Sequence, residues 1–138
     1  MLDEAVEARI REMNDAIQLL REITSKSFSE LKVFEKLSMR YLVIQLVEAA
    51  ASICIHMLSK LYGETAEGYP DCFTRLGRRG IISMELASRL ASAARLRNLL
   101  VHRYWVILDE KVYESVKKGL SDFMEFIRAV KEASGGVG

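Results

Sequence analysis

Arg97, Asn98, His102 and Tyr104 stand within one eight-residue stretch, Arg97-Asn98-Leu99-Leu100-Val101-His102-Arg103-Tyr104. A guanidinium grips phosphate oxygens two at a time and stabilises the charge that builds during phosphoryl transfer. An imidazole titrates near neutrality and can move a proton. RNA carries its own nucleophile, the 2′-hydroxyl. One phosphate clamp and one proton carrier could therefore cleave it without a metal. Asn98 could orient the imidazole or hydrogen-bond the phosphate. Arg89, Arg95 and Arg103 add local positive charge that the net charge of +1 conceals.

On a helix, Arg97 and Tyr104 share a face if the helix persists that far. Asn98 and His102 share an adjacent face. Arg97 and His102 lie well round the helix from each other, and only arginine's length can bring its guanidinium toward a groove bordered by His102. Spacing alone is a weak pattern. A surface arginine and a helix-terminal histidine complementing the dipole would account for it. Taken singly, Tyr104 and Trp105 read as packing residues. His56, within an apolar helix, reads as a satisfied core or interface histidine. Glu48 in the same helix needs a partner or a solvated groove, and an arginine from another helix is the simplest candidate. Arg75, Arg78 and Arg79, like Lys117 and Lys118, read as solvated faces.

The elements that must position these residues are helical. Leu2, Val6, Ile10, Met13, Ile17 and Leu20 give a narrow apolar stripe from about Asp3 to Thr24. Ser27 or Ser29 can cap a short segment around Glu30 to Lys36. A long helix from about Leu37 to Tyr62 follows. Leu42, Leu46, Ala50, Ile53 and Met57 form one row, and Val43, Val47, Cys54, Leu58 and Leu61 widen it. So broad a stripe implies a central helix, which Gly63 is placed to end. Gly63 to Pro70 reads as a loop, Asp71 to Leu76 as a short helix opened by Pro70, and Gly77 to Gly80 as its stop. Ser83 caps a helix running to about His102. Its register of Ala87, Leu90, Ala91, Ala94 and Val101 lets a partner helix approach closely. Asp109 caps a last helix, about Glu110 to Glu132, with Val112, Val116, Leu120, Phe123, Ile127 and Val130 as its stripe.

These 138 residues fit one domain, residues 1–133, followed by a flexible tail, residues 134–138. The fold class is all-α: an up-and-down four-helix bundle with additional short helices. Half the residues are hydrophobic and 28% charged, the balance of a globular chain rather than a disordered one. No global field announces nucleic acid. Cys54 and Cys72 match no metal spacing, and Cys54 reads as a small core residue. A reducing, cytoplasmic setting fits them. No secretory signal is visible. Leu42 to Leu61 is interrupted by Gln45, Glu48, His56 and Lys60, and reads as a buried helix rather than a membrane span.

The string from Arg97 to Tyr104 resembles the signature of the HepT-like branch of HEPN proteins, R-N-x-[LI]-V-H-x-Y, at every specified position. Arg40-Tyr41-Leu42 through Ile53-Cys54-Ile55-His56-Met57-Leu58 looks like that family's central helix. Pro70 to Leu76, then Gly80-Ile81-Ile82-Ser83, looks like its short helix and turn. Members often carry an acid four positions after the tyrosine; here Leu108 stands there and Asp109 follows.

The resemblance implies a toxin of a toxin–antitoxin system, a metal-independent endoribonuclease that cuts cellular RNA, tRNA or mRNA, and needs no cofactor. It implies a homodimer whose Arg/His pairs line a shared cleft, and a minimal nucleotidyltransferase (MNT-type) antitoxin that transfers AMP to the motif tyrosine. Carried onto this chain, Arg97 would hold the scissile phosphate and His102 would transfer protons. Asn98 would support their geometry, Tyr104 would be the modification site, and Arg95 and Arg103 would contact RNA. The small-residue face Ala87, Ala91, Ala94 offers a surface for the dimer. The competing reading is a non-catalytic nucleotide- or substrate-binding subunit of a nucleotidyltransferase.

Overall fold

The computed structural model describes residues 3–137, apart from the side chains of the last two; Leu2 of the first stripe lies outside the described residues. Its helices are α1 (Glu4–Thr24), α2 (Val33–Tyr62), α3 (Tyr69–Arg78), α4 (Met84–His102) and α5 (Asp109–Val137), with one 3-10 turn at Phe28–Glu30. No strand is present among the described residues. The four long helices form the expected bundle, and the short elements fill its connections.

Helix α2 is the centre. It packs along α1 and also touches α3, α4 and α5. Its rows from Leu42 to Met57 and from Val43 to Leu58 are buried, as a stripe that broad requires. Leu61 is the exception, 44% exposed in the last turn of the helix. Over Val33–Tyr62 the helix is long and apolar enough to cross a membrane, yet most of its apolar window is buried within the bundle.

The helix starts at Val33, so the expected separate segment from Glu30 to Lys36 is divided. Its first residue ends the 3-10 turn, where Glu30 takes the backbone N–H and hydroxyl of Ser27. Its back half is the first turn of α2, where Glu35 reaches back to the N–H of Lys32 at 2.9 Å. Gly63, at φ 61°, stops the helix as expected. The N–H groups of Gly63 and Glu64 there close onto Ser59 and Leu58.

Helix α3 is longer than the sequence suggests. Pro70 sits in its first turn, and Gly77 lies inside it rather than at its stop. The stop is Gly80, at φ 79°. Gly77 is needed for proximity: a Cβ there would stand 2.6 Å from that of Ala87. The small-residue face of α4 is thus spent within the chain. Ala87, Ala91 and Ala94 are buried, and α3 lies directly against α4. They offer no surface for a second copy, contrary to the expectation above. Ser83 caps α4, accepting from the N–H of Leu86 at 3.1 Å.

Helix α5 closes the bundle with Val112, Val116, Leu120, Phe123, Phe126, Ile127 and Val130. Phe126 meets Phe73 of α3 edge to face at 5.8 Å. The helix runs past Ser134, where the sequence suggests a tail, to Val137. Cys54 and Cys72 are both buried and free. Burial raises the Cys54 thiol far above its usual range, so it stays a neutral core group.

Candidate functional site

Two arginines tie the C-terminal end of α4 and its following turn to α2. The first is Arg97. Its Nε and Nη2 donate to Oε2 of Glu48 at 3.2 and 2.7 Å, and its Nη1 donates to Oδ1 of Asn98 at 3.0 Å. The guanidinium also lies over the ring of Tyr69, 4.8 Å from its centroid. Glu48 therefore has the arginine partner that its place on an apolar helix called for. Asn98 orients the guanidinium, not the imidazole. Three of the five N–H donors of an arginine are engaged, and two remain for an incoming oxygen.

The second is Arg40 of α2. It donates from Nη1 to the carbonyl of Tyr104 at 2.9 Å and from Nη2 to that of Ile107 at 2.7 Å. Its Nε donates to Asp109. One side chain thus grips the turn that carries Tyr104 at both ends. Sequence reasoning missed this role, because a lone arginine on an amphipathic helix reads as solvated. Asp109 stands as the first residue of α5 rather than as its cap, and its carboxylate is turned to Arg40. The acid one place later than the family's usual position has a specific partner.

The two grips run between antiparallel helices, Arg40 level with Tyr104 and Glu48 level with Arg97. Helix α4 ends at His102, with Arg103 at φ −143° and ψ 45°. Tyr104 therefore does not share a helical face with Arg97; it sits on a turn closed by the Val106 N–H on the Arg103 carbonyl. Tyr104 is 62% exposed, with its ring edge-on to Trp105 at 5.3 Å. His102 is exposed at the last position of α4. Val101, counted in the buried register, is also exposed.

The surrounding charges separate. Arg95 and Arg103 are exposed on the same helix end. Arg89 is committed elsewhere, to Asp122 at 2.9 Å and Glu125 at 3.8 Å on α5. Arg75 is likewise no merely solvated residue: it binds Asp71 at 2.6 Å and Glu64 at 3.0 Å, and Glu64 also holds Arg79 at 2.9 Å. His56 is half-exposed and lies outside this region. It faces Asp3 at 3.7 Å, and its Nε2 has no hydrogen bond, so of the two expected placements, core or interface, the satisfied core one does not hold. Among the described residues, no three His, Cys, Asp or Glu side chains gather to hold a metal ion.

The model of the ribonuclease HepT-like family matches residues 13–130, most of the chain, from within α1 to within α5. The chain belongs to that family. Among its HepT relatives, the tRNA nuclease HepT of Aphanizomenon flos-aquae is 28% identical over 91% of this chain and 86% of its own length. The mRNA nuclease HepT of Shewanella oneidensis is 29% identical over 64% of this chain and 70% of its own length. Among solved structures, the tri-AMPylated Shewanella oneidensis HEPN toxin in complex with its MNT antitoxin superposes with a TM-score of 0.86. It is 22% identical and covers 94% of this chain and 98% of that one. The last comparison establishes that the fold is that of a HEPN toxin.

Proposed function

We propose that this HepT-like protein is the toxin of a toxin–antitoxin pair and acts as an endoribonuclease. The observation that carries the reading is the intact Arg97–His102–Tyr104 motif at an exposed helix end, with Arg97 held in place by Glu48 and Asn98. In this mechanism the two uncommitted N–H donors of Arg97 bind non-bridging oxygens of the scissile phosphate. The RNA 2′-oxygen attacks phosphorus, and the bond to the 5′-oxygen of the next nucleotide breaks. His102, exposed at the end of α4, moves a proton between these oxygens. The products are a 2′,3′-cyclic phosphate and a free 5′-hydroxyl. Arg95 and Arg103 contact neighbouring phosphates. The RNA is tRNA or mRNA, as the names of the two nuclease relatives suggest.

The partner is an MNT-type nucleotidyltransferase that neutralises the toxin by transferring AMP to Tyr104. The exposure of Tyr104 fits an acceptor hydroxyl. An adenylate there would bring a phosphate charge and an adenine to the mouth of the site and repel RNA.

The working form is a homodimer. Val33, Phe34 and Leu37 at the start of α2 are bare, and so are Tyr104, Trp105, Val106 and Leu108. The two bare segments meet where Arg40 grips the turn. A lone protomer of this size does not ordinarily leave so much apolar surface in water, and this patch takes over the role that the alanine face cannot fill.

Growth on expression tests the proposal. Wild type should arrest the host, and Arg97→Ala and His102→Ala, both folded by circular dichroism, should not. Arrest by the folded double variant would refute it. Intact mass after co-expression with an MNT-type nucleotidyltransferase tests the regulation. Wild type should gain whole AMP units and Tyr104→Phe none.

A further inference from the structure

Beside Arg97 lies a recess of about 280 Å³ whose role the phosphate chemistry leaves open. Its floor is one stripe of α2, Tyr41, Gln45, Glu48 and Ser52, and Tyr69 of α3 forms a wall. We propose that this recess is a nucleobase subsite, taking the base of a nucleotide whose phosphate rests on Arg97. The proposal builds on the reading of Arg97 as a phosphate clamp.

Contiguity is the first argument. Glu48 lines the recess and binds Arg97 at 2.7 Å. Tyr69 lines it too, and holds the guanidinium over its ring. The phosphate position and the recess therefore share two walls, as a base and a phosphate joined through one ribose require. At the other end of the stripe, Tyr41 stands one residue after Arg40, which grips the Tyr104 turn.

Chemistry is the second. Unpaired bases are bound by stacking on aromatic rings and by hydrogen bonds to their edges. Tyr41 is 66% exposed and offers a ring. Gln45 is half-buried, and its amide makes no side-chain hydrogen bond among the described residues. A carboxamide presents a donor beside an acceptor, the pattern that reads a base edge. The hydroxyl of Ser52 adds another.

Charge and size are the third. Glu48 is matched by Arg97, and at the rim Arg9 is matched by Glu12 at 2.6 Å. Walls neutral in pairs suit an uncharged base better than a second phosphate. The volume falls just under the roughly 300–1,000 Å³ of sites for drug-sized ligands, a fit for one base rather than a whole nucleotide.

The base has two sources, the RNA substrate or the adenylate delivered to Tyr104. NMR titration of the unmodified protein separates them and tests the site. The probes are AMP, CMP, GMP, UMP and inorganic phosphate, and the observed signals are the Arg97 Nε–H and the side-chain amides of Gln45 and Asn98. Nucleotides should move Gln45 and Arg97 together; phosphate should move Arg97 and Asn98 only. Tyr41→Ala and Gln45→Leu should each weaken nucleotide binding about tenfold and leave phosphate binding unchanged. Preference for AMP over the other three would assign the recess to the adenylate. A flat profile or another preferred base would assign it to RNA. Movement at Arg97 with Gln45 still, or variants that bind nucleotides like wild type, would overturn the base subsite. Movement at Gln45 with Arg97 still would instead overturn the phosphate clamp beneath it.

Discussion

The two ends of α4 are built on opposite terms. At its N-terminal end the helix is consumed by its own chain. Ser83 caps it, Ala87 meets Gly77 with no room for another carbon, and the Arg75–Glu64–Asp71 network closes the outside of α3. At its C-terminal end the helix stops in the open. His102, Tyr104 and Trp105 are bare, and the turn is held from behind by Arg40. The same helix is thus anchored where nothing has to happen and presented where chemistry is proposed. A rigid seam at one end lets the other expose polar and apolar groups without fraying.

The largest effect is expected at the presented end. Arg97→Ala should lower RNA cleavage by about 10²–10³, the scale for loss of one preorganised charge stabiliser. His102→Ala should cost a similar factor. Neither change should shift thermal unfolding by more than a few degrees if the seam at the other end carries the stability. A collapse of stability in both would erase the contrast.

Next is the hold from behind. Arg40→Ala removes hydrogen bonds from a charged donor to two carbonyls and Asp109, and should loosen the turn by about 1.5–3 kcal/mol. Amide exchange across residues 103–108 should quicken, and AMP addition at Tyr104 should slow. Arg40→Lys should recover little, because an ammonium has no planar fork. Unaltered exchange would mean the turn is held by something else.

The anchored end makes a comparable prediction in a different readout. Gly77→Ala should destabilise the fold by about 1–3 kcal/mol in urea, since neither Ala87 nor its helix can step back freely. Trp105→Ser with Leu108→Ser should leave the protomer's stability within about 0.5 kcal/mol while shifting light scattering from dimer to monomer. A dimer unchanged by both would place the interface elsewhere.

The smallest effect is electrostatic. Hydrogen bonds from Arg79 and Arg75 hold the Glu64 carboxyl below its usual 4.5. The Glu67 N–H and Arg75 hold that of Asp71 below its usual 3.8. A carboxylate lowered on folding adds stability above its unfolded value, and that stability is lost as pH falls through the lowered one. Stability should therefore decline below about pH 4.5, and less steeply in Arg75→Gln. An identical acid limb in the variant would show these pairs too solvated to matter.

Much of this contrast was legible in the sequence, and its gaps have physical causes. The 3.6-residue stripes located the long helices, because burial on one face is what the pattern records. Ser83 and Gly63 marked ends correctly because capping is local chemistry. Glu48's need for an arginine was readable from the cost of a carboxylate on an apolar helix. Which helix would meet the alanines was not readable: small residues signal close approach without naming the neighbour, and α3 took the place expected for a second copy. Tyr69 was hidden in a segment that glycine and proline marked as loop. Arg40 was hidden because three-dimensional register, not spacing, brings α2 beside the Tyr104 turn. Leu61 and Val101 fitted their stripes but are exposed in the last turns of α2 and α4.

The most direct test of the central claim is cleavage of purified tRNA and mRNA by the purified protein in excess chelator, with the new ends identified chemically. The account predicts cutting by wild type, 2′,3′-cyclic phosphate and 5′-hydroxyl ends, and loss of cutting in Arg97→Ala and in His102→Ala. Cutting that persists in both folded variants, or ends bearing a 5′-phosphate, would contradict it.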